Sequence, residues 1–159
     1  MKNLVRMIAT YFGIGFFPKA PGTVASLMAL PLVFVLFRIG PIQYMVFTFL
    51  LTIAGVIVCE AYEKMHEGHD RQEIVIDEVV GILITMTWMP QTWQAYLVGF
   101  LLFRFFDILK PFPIGRIDQK IGGGLGVMLD DVAAGVIANV ILQVIYTKTN
   151  FLGSQILVN

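Results

Sequence analysis

Five carboxylates in this chain stand in or against strongly apolar runs, and that placement restricts its fold more than any other feature. Asp77 and Glu78 lie in Ile74-Val75-Ile76-Asp77-Glu78-Val79-Val80, Asp107 in Leu101-Leu102-Phe103-Arg104-Phe105-Phe106-Asp107-Ile108, and Asp130 and Asp131 in Val127-Met128-Leu129-Asp130-Asp131-Val132. All eleven acidic residues fall between Glu60 and Asp131. A carboxylate in lipid-like surroundings costs several kcal/mol unless something compensates it. Each of the five therefore needs a partner and is a candidate for chemistry.

The surroundings are lipid-like because the chain is 57% hydrophobic and 14% charged, with a mean hydropathy of +0.79. Soluble domains carry about 25% charged residues. This is the composition of a membrane protein, and its 159 residues offer no linker or charge run at which to divide them, so residues 1–159 read as one domain. Apolar runs at 24–38, 42–59, 74–89, 95–109 and 127–147 predict an all-α, polytopic membrane helical bundle of four to five apolar helices. Several runs are shorter than the ~20 residues that cross a bilayer core, so some spans should be short or partial. The run holding Asp77 and Glu78 is the least secure as a full span. Zero formal charge and a pI of about 6.7 give no basic footprint for nucleic acid. The single cysteine, Cys59, excludes an internal disulfide and a Cys-rich zinc site. Gly13, Gly15, Pro18, Pro21 and Gly22 break the first apolar stretch and argue against a cleaved signal peptide.

With a cytosolic N-terminus, five crossings place Lys2, Arg6, Lys19, Lys64, Arg71, Lys110, Arg116 and Lys120 inside, and Arg38 and Lys148 outside. Eight against two agrees with the positive-inside rule. The same topology puts the acids at or near the cytosolic face and leaves short outer turns at Arg38-Ile39-Gly40-Pro41 and Met89-Pro90-Gln91-Thr92.

Four elements could carry chemistry. In Phe12–Ser26, closely spaced Gly and Pro oppose a regular helix before residue 22, and Thr23 stands where a helix N-cap is expected. A helix start with Lys19 beside it is a candidate phosphate cradle, although it lacks the Walker pattern; the alternative is an amphipathic entry loop. Asp77 and Glu78 repel each other, so a divalent ion or a basic partner is the natural compensator, unless both heads reach water at the membrane surface. Arg104, Asp107 and Lys110 recur every three residues and would stack cation, anion and cation on one helix face, either as an internal salt bridge or with Asp107 on a metal and the cations on a phosphate. Gly122-Gly123-Gly124-Leu125-Gly126 reads as a loop able to approach a ligand by its backbone, followed by a helix bearing Asp130 and Asp131. Such hard oxygen ligands suit Mg²⁺; the alternative is that the glycines let backbones pack and the acids favour the helix start. His66 and His69 lack zinc-protease spacing and read as part of a solvated loop, Glu60–Glu73.

Taken together, the Pro-Gly-Thr at 21–23, Ile74–Glu78, Phe103-Arg104-Phe105-Phe106-Asp107-Ile108-Leu109-Lys110-Pro111-Phe112-Pro113-Ile114 and Gly123-Gly124-Leu125-Gly126-Val127-Met128-Leu129-Asp130-Asp131-Val132-Ala133-Ala134-Gly135 resemble bacterial phosphatidylglycerophosphatase A over residues 10–145. The resemblance implies an all-helical, Mg²⁺-dependent phosphatase of the bacterial inner membrane that converts phosphatidylglycerophosphate to phosphatidylglycerol. It implies metal ligation by Asp77, Glu78, Asp107, Asp130 and Asp131, with Asp77, Glu78, Asp107 and Asp131 catalytic. Phosphate contacts are expected from Lys19, Thr23, Ser26, Arg104, Lys110 and Arg116, with Glu60 and Asp118 as weaker candidates. The competing reading from another class is an ion-coupled membrane transporter using intramembrane carboxylates.

Overall fold

Gly40 and Pro41 make the first hairpin. The helix before them, α2 (Pro21–Ile39), ends at Gly40, whose φ of 134° suits glycine. Pro41 then opens α3 (Pro41–His66), as proline does well at a first helical position. The computed structural model describes residues 2–66 and 72–153, without the side chains of His66 and Asp118; His69 and the side chain of Asp118 thus lie outside the described residues. The other helices are α1 (Lys2–Ala9), α4 (Ile76–Thr85), α5 (Trp93–Leu109), α6 (Ile114–Lys120) and α7 (Gly123–Lys148), with a 3₁₀ turn at Ile14–Phe16. The described residues are helical and contain no strand.

Each predicted apolar run contains a helix, yet among the described residues three are long and apolar enough to cross a membrane: Pro21–Ile39, Pro41–Met65 and Gly123–Lys148. Their outward faces carry exposed apolar residues such as Leu27, Val35, Phe49, Leu50, Ile57, Val140 and Val144, the surface that a lipid solvent requires. The third run forms only α4, ten residues and about 15 Å long. It is nevertheless the centre of the bundle, with Val79, Val80, Gly81, Ile82, Leu83 and Thr85 buried and with α2, α3, α5 and α7 packed around it. Gly135 of α7 lies against Gly81 of α4 so closely that a Cβ there would sit 2.6 Å from the Gly81 carbonyl.

A helix that stops inside an apolar bundle must place its last carbonyls somewhere. Tyr44 donates its hydroxyl to Leu83 O at 2.6 Å, and Asn139 Nδ2 donates to both Thr85 O and Thr87 O at 2.8 Å. Side chains of α3 and α7 thereby cap α4 where water is excluded.

Three expectations need correction. Helix α2 starts at Pro21 with Ala20 as its cap residue, in the left-handed region at φ 51°, so Thr23 lies within the first turn; the fixed φ and missing N–H of Pro21 suit a first helical position. Helix α3 continues to His66, absorbing much of the predicted polar loop, because Glu60 and Lys64 pair at 2.9 Å one turn apart. The glycine segment is not a loop: Gly123, Gly124 and Gly126 lie in the first turn of α7, and a Cβ at Gly124 would collide with the α3 backbone at Val56 and Glu60.

The starts of α2, α4 and α7 and the ends of α3 and α5 meet at one end of the bundle, where residues from all five line a common cavity. Ile39, Pro41, Thr85, Trp93 and Lys148 mark the opposite ends of those helices.

Candidate active site

Asp77 and Glu78 occupy the first turn of α4, where the positive end of the helix dipole favours carboxylates. Buried Ile74, Val75 and Ile76 anchor the approach to this turn, and Val75 N donates to Ala9 O at 2.9 Å. Asp131 comes from α7, eight residues beyond Gly123 and about 12 Å along the helix. One oxygen from each of Asp77, Glu78 and Asp131 lies within 4.8 Å of the others. Asp77 Oδ1, Glu78 Oε2 and Asp131 Oδ2 are buried and have no hydrogen-bond partner.

The other two acids are engaged with cations. Asp107 contacts Arg104 Nη1, which also stands 3.9 Å from Glu78 Oε1, while Arg104 Nε is buried without a partner. Asp130 accepts from Lys110 Nζ at 2.6 Å through Oδ2 and from Asp131 N at 3.0 Å through Oδ1. Lys110 leaves the helical register at φ 42°, which turns it from the Arg104–Asp107 face of α5 toward α7. The predicted one-face stack of three is therefore divided into two pairs.

These groups surround a cavity of about 620 Å³. Among its described lining residues are six acids, Glu63, Asp77, Glu78, Asp107, Asp130 and Asp131, against two bases, Arg104 and Lys110. Such an excess of negative charge in a recess is stable only with added positive charge or bound protons. Three buried oxygens without donors, drawn from two elements, have the donor chemistry of a hard divalent-cation site.

A family model for phosphatidylglycerophosphatase A matches residues 7–146. The chain belongs to that family. It is 40% identical over 142 residues to "Phosphatidylglycerophosphatase A" of Haemophilus influenzae, covering 88% of this chain and 87% of the relative. It is 38% identical over 146 residues to the protein of the same name from Escherichia coli, covering 91% and 85%. A "Putative phosphatidylinositol-3-phosphatase" of Bacteroides thetaiotaomicron is 36% identical over 146 residues, covering 87% and 91%. No solved structure matches. As a member of the phosphatidylglycerophosphatase A family the chain is a phosphatase that acts in phospholipid metabolism.

Of the residues that this family assignment led us to expect at phosphate, Arg104 and Lys110 line the cavity, whereas Lys19, Thr23, Ser26 and Arg116 are not among its lining residues. Lys19 is exposed just before α2. Thr23 is half-buried in the first turn of α2. Ser26 is buried and donates to Gly22 O at 2.7 Å, and Arg116 is exposed, with its guanidinium 4.8 Å from the centre of the Phe112 ring. Glu60 accepts from Gly124 N at 2.8 Å, a bond that ties α3 to the start of α7. Sequence reasoning gave Gly22 no role beyond its place in the Pro-Gly-Thr motif, and it missed Glu63. A Cβ on Gly22 would collide with Glu78 Oε1 and come within 3.3 Å of Arg104 Nη1, so this glycine makes room for the acid. Glu63 is four residues after Cys59, one helical turn along the buried face of α3; the signal was present but hidden by reading residues 60–73 as loop.

Proposed function

We propose that the cavity hydrolyses the terminal phosphomonoester of phosphatidylglycerophosphate, releasing phosphate and phosphatidylglycerol, in a reaction that requires Mg²⁺. The observation that carries this reading is the trio of Asp77, Glu78 and Asp131, with close, buried and unpartnered oxygens, facing the same recess as Arg104 and Lys110. Those three acids would hold the metal. When bound, Mg²⁺ supplies positive charge to the phosphoryl oxygens and lowers the pKa of water.

The chain's own residues divide the remaining work. Asp107 fixes Arg104, and Asp130 fixes Lys110, so that both cations meet the equatorial phosphate oxygens through charge-assisted hydrogen bonds. Arg104 Nε, a buried donor without a partner, acquires one when phosphate enters. Glu78 accepts a proton from the attacking water as that water's oxygen bonds to phosphorus. The bond from phosphorus to the glycerol oxygen breaks, the departing oxygen takes up a proton from water, and Glu78 returns its proton to solvent. Set in a recess, these contacts are stronger than the same contacts in bulk water.

The cavity end of the bundle carries Lys19, Lys64, Lys110, Arg116 and Lys120 near the helix ends, against Arg38 and Lys148 at the other. That asymmetry supports an inner-membrane orientation with the site on the cytosolic side. The test is phosphate release from phosphatidylglycerophosphate in detergent micelles with Mg²⁺ and with chelator. Release that chelation abolishes and Mg²⁺ restores is expected. Equal release in both would remove the metal from the reaction.

A further inference from the structure

Beside the carboxylate cavity lies a second recess of about 350 Å³ that the catalytic reading leaves unused. Phe16, Phe17 and Pro18 line it from the segment before α2, and Gln72 and Glu73 line it from the segment before α4. The two segments are pinned together at Gly15, where a Cβ would collide with the Glu73 carbonyl, and Glu73 is held by the Tyr62 hydroxyl at 2.9 Å. Ala20, Pro21 and Gln72 line both recesses, so the two adjoin at a saddle at the start of α2.

The aromatic side of this groove faces outward. Phe12, Phe16 and Phe17 are exposed, as are Leu4 and Met7 of α1, whose positions beside Lys2 and Arg6 give a short amphipathic helix suited to the headgroup region. Cations stand close by: the Arg6 guanidinium lies 4.7 Å from the centre of the Phe16 ring, and exposed Lys19 is flanked by the lining residues Pro18 and Ala20. A lipid whose terminal phosphate enters the carboxylate cavity still carries a glycerol, a phosphodiester and two acyl chains. These parts must leave the cavity toward the bilayer, and the adjoining groove, lined by aromatic rings and with cations beside it, has the matching chemistry.

We propose that this groove receives the phosphodiester arm of the lipid substrate, with Gln72 at the saddle against the glycerol that joins the two phosphates and Lys19 and Arg6 serving the phosphodiester. The proposal rests on the phosphatase reading above. It gives Lys19 a place on the substrate, at the inner phosphate instead of the terminal one. It also makes the saddle the point at which relatives acting on other headgroups would differ.

The test uses the full chain in mixed micelles and compares Phe17→Ser, Lys19→Gln and Gln72→Ala with the unmodified protein. Two constants are read: KM for phosphatidylglycerophosphate, and the inhibition constant of inorganic phosphate, which needs the carboxylate cavity alone. The expected result is a KM raised about ten-fold by one or more of the three while phosphate inhibition is unchanged. A KM within two-fold of the unmodified protein for all three variants would overturn the proposal. So would a parallel loss of phosphate inhibition, which would mark general damage. Absence of release by the unmodified protein would instead sink the phosphatase reading itself.

Discussion

Asp130 and Asp131 are neighbours in sequence with opposite surroundings: one has both oxygens engaged by donors, the other has a buried oxygen with none. The same contrast separates Asp107, engaged by Arg104, from Asp77, whose buried Oδ1 has no partner; Glu78 stands between them, with Oε1 3.9 Å from Arg104 and Oε2 unpartnered. Spacing alone could identify all five as costly acids, but which of them faces a cation is set by helices far apart in sequence. The account therefore gives different consequences to similar substitutions. Asp77→Asn or Asp131→Asn should lower kcat by about a thousand-fold or more, as loss of a principal charge-stabilising group does. Asp107→Asn should chiefly raise KM, because it loosens Arg104, with steady-state kinetics separating the two effects. Gly22→Ala should reduce kcat/KM at least ten-fold by displacing the Glu78 carboxylate, while the thermal transition in detergent moves little because the new methyl meets a side-chain end.

At the scale of elements, hydropathy was enough to locate every apolar helix, and the Gly-Pro pair at 40–41 was enough to separate α2 from α3. It could not show that α4 ends after ten residues, because Met86 to Met89 continues the apolar run while Tyr44, Asn139 and Gln143 satisfy its last carbonyls from other helices. Nor could it show that the glycines at 123–126 are helical: their cue, small residues that admit a neighbouring backbone, is shared by flexible loops. Asn139→Leu should remove the Asn139 donor from the Thr85 and Thr87 carbonyls, leaving Thr87 O only the longer Gln143 bond at 3.4 Å, and cost about 1–3 kcal/mol. Unfolding in mixed micelles should register that loss, and an unchanged transition would remove Asn139 from its capping role.

At the scale of the whole molecule, the bundle gathers its cavity-lining acids, most of its cations and the starts of α2, α4 and α7 at one end and leaves the other to short turns. The proposed orientation predicts that a cysteine introduced at Lys120 reacts with an impermeant thiol reagent from the cytosol alone, and one at Thr149 from the opposite side alone. Cys59 is fully buried and should not interfere. Labelling of both positions from the same side would contradict the proposed orientation, and the swapped pattern would reverse it. If Asp77, Glu78 and Asp131 hold a metal while Asp107 and Asp130 fix cations, Mn²⁺, a spectroscopic stand-in for Mg²⁺ among oxygen ligands, will distinguish the two groups. Electron paramagnetic resonance titration of the detergent-solubilised protein should show a bound Mn²⁺ that Asp131→Asn removes and Asp107→Asn retains. Equal weakening by both substitutions, or binding that survives Asp131→Asn, would contradict that division.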